Sequence, residues 1–217
     1  MKKYEFTEET IDFMGHILHR IKACRDFGYV KKGDIGGFIE KEENLDHEDN
    51  AWVSGNAKVY GNAKVYESAV VFENALVFGK AKISENAEVY GNAWVFGNVE
   101  VFGEAQISGS ARVFDNVEVF GEAQIFGNAR VFGNTRVFGN TRIKNVSDYI
   151  TIGPIGSRGG ITTFYKSSDN IDVSCGCFSG SIDDFEKAVI ETHGDNEHGR
   201  AYKAAIRFVK TVLKEEK

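Results

Sequence analysis

Residues 57–80 read AKVYGN, AKVYES, AVVFEN, ALVFGK, and the phrase runs on without insertion to TRVFGN at 135–140 and TRIK at 141–144. Stepping by six from Val53 to Ile143 meets Val or Ile at all sixteen positions. The residue two before each is Ala, Val or Thr, from Ala51 to Thr141. The residue after it is Phe or Tyr in twelve of the sixteen, with Ser54, Ser84, Ser108 and Lys144 as the exceptions. So strict a period marks a stacked-repeat architecture. Strand side chains alternate, so in each A-x-V-F phrase Ala and Val share one face while x and the aromatic share the other. The x residues are mostly Lys, Arg, Glu, Gln or Trp, which cannot form a core. Ala and Val therefore point inward and the aromatics outward. Gly and Asn tolerate the positive φ that a corner every six residues requires.

This pattern resembles the hexapeptide-repeat, left-handed parallel β-helix family, whose signature is an aliphatic residue, a small residue four further on, and Gly/Asn-rich corners. This chain departs from it in placing an aromatic directly after the aliphatic, where the family often has Gly. The resemblance implies three hexads per triangular coil, hence about five coils of about 18 residues, roughly 25 Å long at the ~4.8 Å strand spacing. A right-handed helix is the alternative. The expected fold class is mainly β: a parallel β-helix solenoid over 51–145, an N-terminal cap over 1–50 and a small α/β domain over 146–217.

The repeat accounts for an odd composition of 24 Gly and 17 Phe with a single Pro. Disordered Gly-rich chains lack the aromatics, and collagen needs abundant Pro. No apolar run is long enough to span a membrane, and residues 1–10 hold no secretion-signal segment. Three cysteines do not make a disulfide framework, which points to a reducing, cytoplasmic setting. A net charge of −6 disfavours a nucleic-acid partner. Between Trp52 and Lys144 nine basic residues balance nine acidic ones, which disfavours DNA mimicry.

Folded at 18 residues, the outward positions sort onto three faces. One carries Lys58, Leu76, Trp94, Arg112 and Arg130 beside the ladder Tyr60, Phe78, Phe96, Phe114 and Phe132, with no acid. Such ladders stiffen a coil by stacking. An apolar stripe of that length also marks an interface. Tyr60, Leu76, Phe78, Trp94, Phe96, Phe114 and Phe132 are thus the expected interface of a homo-oligomer, a dimer favoured. Stacking of sugars or bases on the ladder is a third reading.

Many proteins of the resembled family are acyltransferases with a histidine base at a cleft between subunits. Here His16, His19, His47, His193 and His198 all lie outside the repeat, and no loop interrupts a hexad. His47 reads as structural. No catalytic residue and no cofactor are assigned, and an acyltransferase remains the alternative to a binding or purely structural protein.

Within the cap, residues 17–22 alternate as a strand would, with a short helix as the alternative, and Cys24 reads as a small buried hydrophobe. Gly33-Asp34-Ile35-Gly36-Gly37-Phe38-Ile39 reads as a glycine-rich bend into the first coil. It resembles the lead-in of some bacterial and phage hexapeptide proteins. After Ile143 the pattern stops. Tyr149–Gly153 and Ile161–Lys166 are expected to pair as strands, and Ile171–Phe178 to form a third. A helix capped by Ser181 and ended by Gly194 should bury Ile182, Phe185 and Val189. A second helix, about Glu197–Lys214, should bury Tyr202, Ala205, Ile206, Val209 and Leu213.

The loop between the first two strands is the candidate ligand site. Gly156, Ser157, Arg158 and Gly159 place a permanent cation and a hydroxyl among glycines, and Thr162, Thr163, Tyr165 and Lys166 follow on the adjacent strand. Arg suits carboxylate or phosphate, so an anionic small molecule or nucleotide is the expected ligand. The alternative is a tight hairpin with a solvated Arg. Cys175 and Cys177 are expected on one strand face with Val173. As a zinc pair they would need His193 or His198, so core packing is the favoured reading and no metal is assigned. The C-terminal segment, IGSR…TTFYK…CGCF, resembles a module of phage and mobile-element proteins of Gram-positive bacteria. That resemblance suggests sequestering a host signalling nucleotide or blocking a host defence protein.

Overall fold

The computed structural model describes residues 2–167 and 170–213. Three strands open the chain, β1 (Tyr4–Phe13), β2 (His16–Ala23) and β3 (Ile35–Ile39). Sixteen two-residue strands, β4 to β19, then start at six-residue intervals from Trp52–Val53 to Arg142–Ile143. Each of β4 to β16 pairs in parallel with the strand 18 residues on: Lys58 stands opposite Leu76, Leu76 opposite Trp94, and Arg112 opposite Arg130. Backbone bonds join the coils at strand and corner alike, as in Lys58 N to Ala75 O (2.9 Å) and Asn62 N to Gly79 O (2.7 Å). The strands collect into three sheets that form a parallel β-solenoid of about six turns.

The inward positions from Ala51 to Ile143 are buried and form one continuous core. Ala and Val suit it because three walls converge there and leave little width. In the last coil Thr135 and Thr141 replace Ala, and their hydroxyls donate to the Phe132 and Phe138 carbonyls at 2.8 Å. That satisfies the buried polar atom locally.

The solenoid starts earlier than the expected residue 51, which raises about five turns to about six. Phe38 and Ile39 pair in parallel with Lys58 and Val59, and Leu45 bridges Val65. Ile39 to Leu45 keeps the six-residue step, but Leu45 to Val53 is eight. Stepping back from Val53 therefore lands on His47 and misses the first coil. The expected glycine-rich bend is a bend only at Gly33 (φ 98). Gly36 and Gly37 lie within β3 and let it press onto the coil: a Cβ on Gly36 would meet the Trp52 ring at 2.7 Å, and one on Gly37 the Ala57 carbonyl at 2.8 Å.

Corners carry positive φ. Most are Gly, but Glu67 (58°), Glu73 (59°), Glu85 (56°) and Asp115 (69°) hold the same conformation. Each uses its carboxylate to accept the corner amide one coil on: Glu67 from Glu85 N (2.6 Å), Glu73 from Gly91 N (2.8 Å), Glu85 from Gly103 N (2.9 Å) and Asp115 from Gly133 N (3.0 Å). A charge-assisted bond to an otherwise unpaired amide offsets the cost of a left-handed non-glycine residue.

Both ends are plugged. The β1–β2 hairpin adds antiparallel strands to β3, which settles residues 17–22 as strand, and Tyr4, Ile21 and Ala23 join the solenoid core. Lys3 is buried there, its ammonium donating to the Glu48 and Ala51 carbonyls at 2.9 Å, and burial pulls its pKa down to about 8. At the other end β20 (Tyr149–Ile155), β21 (Gly160–Lys166), β22 (Ile171–Cys175) and β23 (Phe178–Ser181) form an antiparallel sheet in that order. The expected third strand is thus two, divided by a turn at Gly176-Cys177: Cys175 shares the helix-facing side of β22 with Val173 as expected, but Cys177 lies in the turn and shares no strand face with them. Helix α1 (Ile182–His193) is capped by Ser181, which accepts the Asp184 amide at 3.2 Å, and ends at Gly194 (φ 54). Helix α2 (Glu197–Val212) buries Tyr202, Ala205, Ile206 and Val209.

Strand alternation makes this sheet a shared wall. Tyr149 and Tyr165 belong to the solenoid core: the Tyr149 hydroxyl donates to the Arg130 carbonyl (2.8 Å), and the Tyr165 ring meets Phe138 edge-on at 5.7 Å. Phe164 and Val173 pack with Phe185, Val189, Ile206 and Val209 of the helices.

Two outcomes are expected. Glu85→Ala removes the carboxylate bond while keeping a strained corner, and should cost about 1 kcal/mol in urea unfolding, with Glu85→Gly recovering part of it. Burial pushes the phenol of Tyr149 up to about 12 and that of Tyr165 up as well. The unfolded chain gives up these protons first, near pH 10, so stability is intact below that and falls as pH rises toward 12. Lys3 acts the other way, adding stability between about 8 and 10.5. The buried Tyr165 hydroxyl has no hydrogen-bond partner among the described residues. Tyr165→Phe should therefore unfold at an equal or higher urea midpoint and a higher alkaline pH, followed by circular dichroism.

Candidate functional site

The candidate loop is the turn at residues 156–159, between β20 and β21. Gly156 (φ 77) and Gly159 (φ 56) take left-handed conformations, and the Gly159 amide donates to the Gly156 carbonyl at 3.1 Å. Gly156 lies directly against the Tyr202 hydroxyl, leaving no room for a Cβ. Beside it opens a cavity of about 220 Å³, walled by two hairpin turns on one side and by α1 and the start of α2 on the other. Ile155, Phe178, Phe185 and Val189 make its walls apolar. Ser157, Arg158, Cys175, Cys177, His193 and Tyr202 bring polar groups to it, and among the described residues no carboxylate lines it.

These polar groups are linked. The Thr162 hydroxyl donates to Cys175 Sγ at 3.1 Å, and the Tyr202 hydroxyl lies 3.5 Å from the same sulfur. The His193 ring stacks on Tyr202 at 5.8 Å, and Phe185 meets Tyr202 edge-on at 5.4 Å. Burial, reinforced by the bond to Cys175, pushes the Tyr202 phenol up to about 12; Thr162 and the Arg158 charge draw it back. Tyr202 is therefore a neutral donor at physiological pH. Arg158 makes no ion pair or hydrogen bond among the described residues, so its charge is available to the cavity.

The eight candidate residues fall in different places. Ser157 and Arg158 line the cavity, Gly156 backs it, and Thr162 reaches it through Cys175. Thr163 faces the opposite side of the sheet, in a groove with Gly159, Ser174, Asn116, Asn134 and Arg136. Tyr165 is sealed in the solenoid core, and Lys166 ends β21 opposite Ile171, at the far end from the turn. Sequence reasoning placed Tyr202 in a helix core and considered His193 only as a metal ligand. Gly156 meets Tyr202 only through a long-range contact, for which the sequence holds no local signal.

On the solenoid the aromatic ladder is continuous. Tyr60, Phe78, Phe96, Phe114 and Phe132 stack at 5.0, 4.8, 5.1 and 5.3 Å with interplanar angles of 11° or less. Both ring faces of Phe78, Phe96 and Phe114 are thus occupied by neighbours, leaving edges for a partner, which is poor geometry for stacked sugars or bases. Tyr60 is buried under the chain's own hairpin with Leu18 and Phe38, and Leu76 is buried too. Phe78, Trp94, Phe96 and Phe114 are half-buried, and Phe132 is 44% exposed. The Arg112 guanidinium sits over Trp94 at 4.7 Å.

His47 stacks on Tyr4 at 4.2 Å and accepts the Lys3 amide at 3.2 Å, contacts of a structural residue. Among the described residues no group of three or more His, Cys, Asp or Glu gathers as metal ligands would. None of the described helices is long and apolar enough to cross a membrane.

The fold defines a parallel β-solenoid repeat protein whose C-terminal end carries a sheet, two helices and a small cavity. Residues 123–143 match the family model described as YdcK Beta solenoid repeat, a stretch within the last turns of the solenoid. No curated protein matches the chain.

Gly156→Ala would place a methyl group on the Tyr202 hydroxyl at a left-handed φ. It should destabilise the C-terminal sheet and helices by more than about 1 kcal/mol, seen as faster amide exchange in α2 with solenoid amides unchanged.

Proposed function

We propose that this is a binding protein in which the solenoid is a rigid scaffold and the C-terminal cavity takes a small anionic ligand. One observation carries the reading: among the described residues Arg158 is unpaired and no carboxylate lines the apolar-walled cavity it borders. A guanidinium there pairs with carboxylate or phosphate, while the neutral Tyr202 hydroxyl supplies a second donor. The volume sets the size of the ligand. At about 30 Å³ per water, 220 Å³ corresponds to about seven waters. That admits phosphate or a small carboxylate with a short apolar body, and of a nucleotide the phosphate alone. A host signalling nucleotide, suggested by the resemblance of this module to phage proteins, would leave base and sugar outside, against the rim.

Association of copies through the first solenoid face is part of the same reading, with Trp94, Phe96, Phe114 and Phe132 as the contact, because Tyr60 and Leu76 are covered within the chain. Titration calorimetry with inorganic phosphate, benzoate and adenosine monophosphate tests the ligand class. Binding of at least one at micromolar to millimolar affinity is expected, weakened tenfold or more by Arg158→Ala. An affinity indifferent to Arg158→Ala, or no binding at 10 mM (roughly −2.7 kcal/mol by the usual affinity arithmetic), overturns it.

A further inference from the structure

Two thiols border this cavity. Cys175 ends β22 and Cys177 is the second residue of the two-residue turn that follows, closed by the pairing of Cys175 with Phe178 and made possible by Gly176 at φ 59. Cys175 is half-buried and Cys177 exposed, and both line the cavity with Arg158. Alpha carbons two residues apart in a bent chain lie about 5–6 Å from each other, within the disulfide range of roughly 4.4–6.8 Å. Among the described residues the lining holds a guanidinium and no carboxylate, and a thiol that opens to such a cavity is accessible to a small oxidant. The Thr162 and Tyr202 hydroxyls hold the Cys175 sulfur at the cavity wall. Cys24 lies outside this cavity and serves as the internal control.

We infer that Cys175 and Cys177 are a redox pair, oxidised by a hydroperoxide to an intramolecular disulfide that closes the ligand cavity. In the first step the Cys175 sulfur attacks the distal peroxide oxygen. The O–O bond breaks, an alcohol (water from hydrogen peroxide) leaves with the thiol proton, and a sulfenic acid remains. In the second the Cys177 sulfur attacks the sulfenic sulfur: the S–S bond forms, the S–O bond breaks, and water leaves with the Cys177 proton. The peroxide takes both electrons. Bonding to Cys177 within the same hairpin turn pulls the Cys175 sulfur off the Thr162 and Tyr202 hydroxyls and reshapes that wall of the cavity, so the reduced form is the binding form. Only this last consequence rests on the anion-binding reading.

The test oxidises the native chain with hydrogen peroxide, alkylates remaining thiols, and maps peptides by mass spectrometry. The expected product is 2 Da lighter (the two protons lost in forming the disulfide), with the loss confined to the peptide spanning Cys175 and Cys177 and Cys24 alkylated. Cys177→Ser should stop at a sulfenic acid on Cys175, captured by dimedone, and Arg158→Ala should slow oxidation several-fold. Oxidation of Cys24 as fast as Cys175, or no bond between Cys175 and Cys177, overturns the redox pair. Phosphate titration of reduced and oxidised protein then reads the regulation: a loss of tenfold or more on oxidation is expected, and equal affinity overturns it. A disulfide that forms in a protein binding no anion in either state would remove the anion reading and leave the redox pair standing.

Discussion

Every part of this molecule answers to the backbone ladder between coils. Because strands of successive coils pair at a separation of 18 residues, every coil must return the chain to the same place, with three corners and no net slip. The inward side chains must then be small enough for three walls to meet, which selects Ala and Val. The corners must tolerate positive φ, which selects Gly. Where Gly is absent, a carboxylate takes the amide of the next coil, as Glu85 does for Gly103. The aromatic ladder follows from the same register. Rings one coil apart fall into stacking distance because the strands beneath them do, each such pair adding about 0.5–1.5 kcal/mol.

A ladder has ends, and open ends would template further strands. The β1–β2 hairpin closes one by pairing with β3, and the C-terminal sheet closes the other by inserting Tyr149 and Tyr165 into the core. That second plug has a consequence for function. A sheet with its lower face committed to the solenoid needs its upper face covered, and α1 and α2 cover it. The cover is incomplete near the two hairpin turns, where the cavity opens between Arg158, Cys175 and Tyr202. The site is thus a by-product of how the sheet is sandwiched.

Much of this was legible in the chain, and the failures have physical causes. The strand positions, the inward Ala and Val, the ladder on the first face and the caps at Ser181 and Gly194 all follow from local spacing. The first coil was hidden because eight residues rather than six join Leu45 to Val53, and a fixed step loses phase there. The strand drawn through 171–178 ignored the turn that Gly176 allows. Thr163, Tyr165 and Lys166 neighbour Arg158 in sequence but not in space. Alternation puts Thr163 and Tyr165 on the solenoid side, and Lys166 lies at the far end of β21.

The periodic part of the molecule is written in the order of its residues, because each hexad's conformation depends on contacts that recur at a constant separation. The number of turns, the burial of Tyr60 beneath the hairpin and the meeting of Thr162, Cys175 and Tyr202 are not written that way. They join residues at irregular distances along the chain, Cys175 with Tyr202 across 27 positions among them. No local pattern encodes such a distance. It emerges once the sheet has two faces to satisfy and the helices fold back over the one that the solenoid leaves bare.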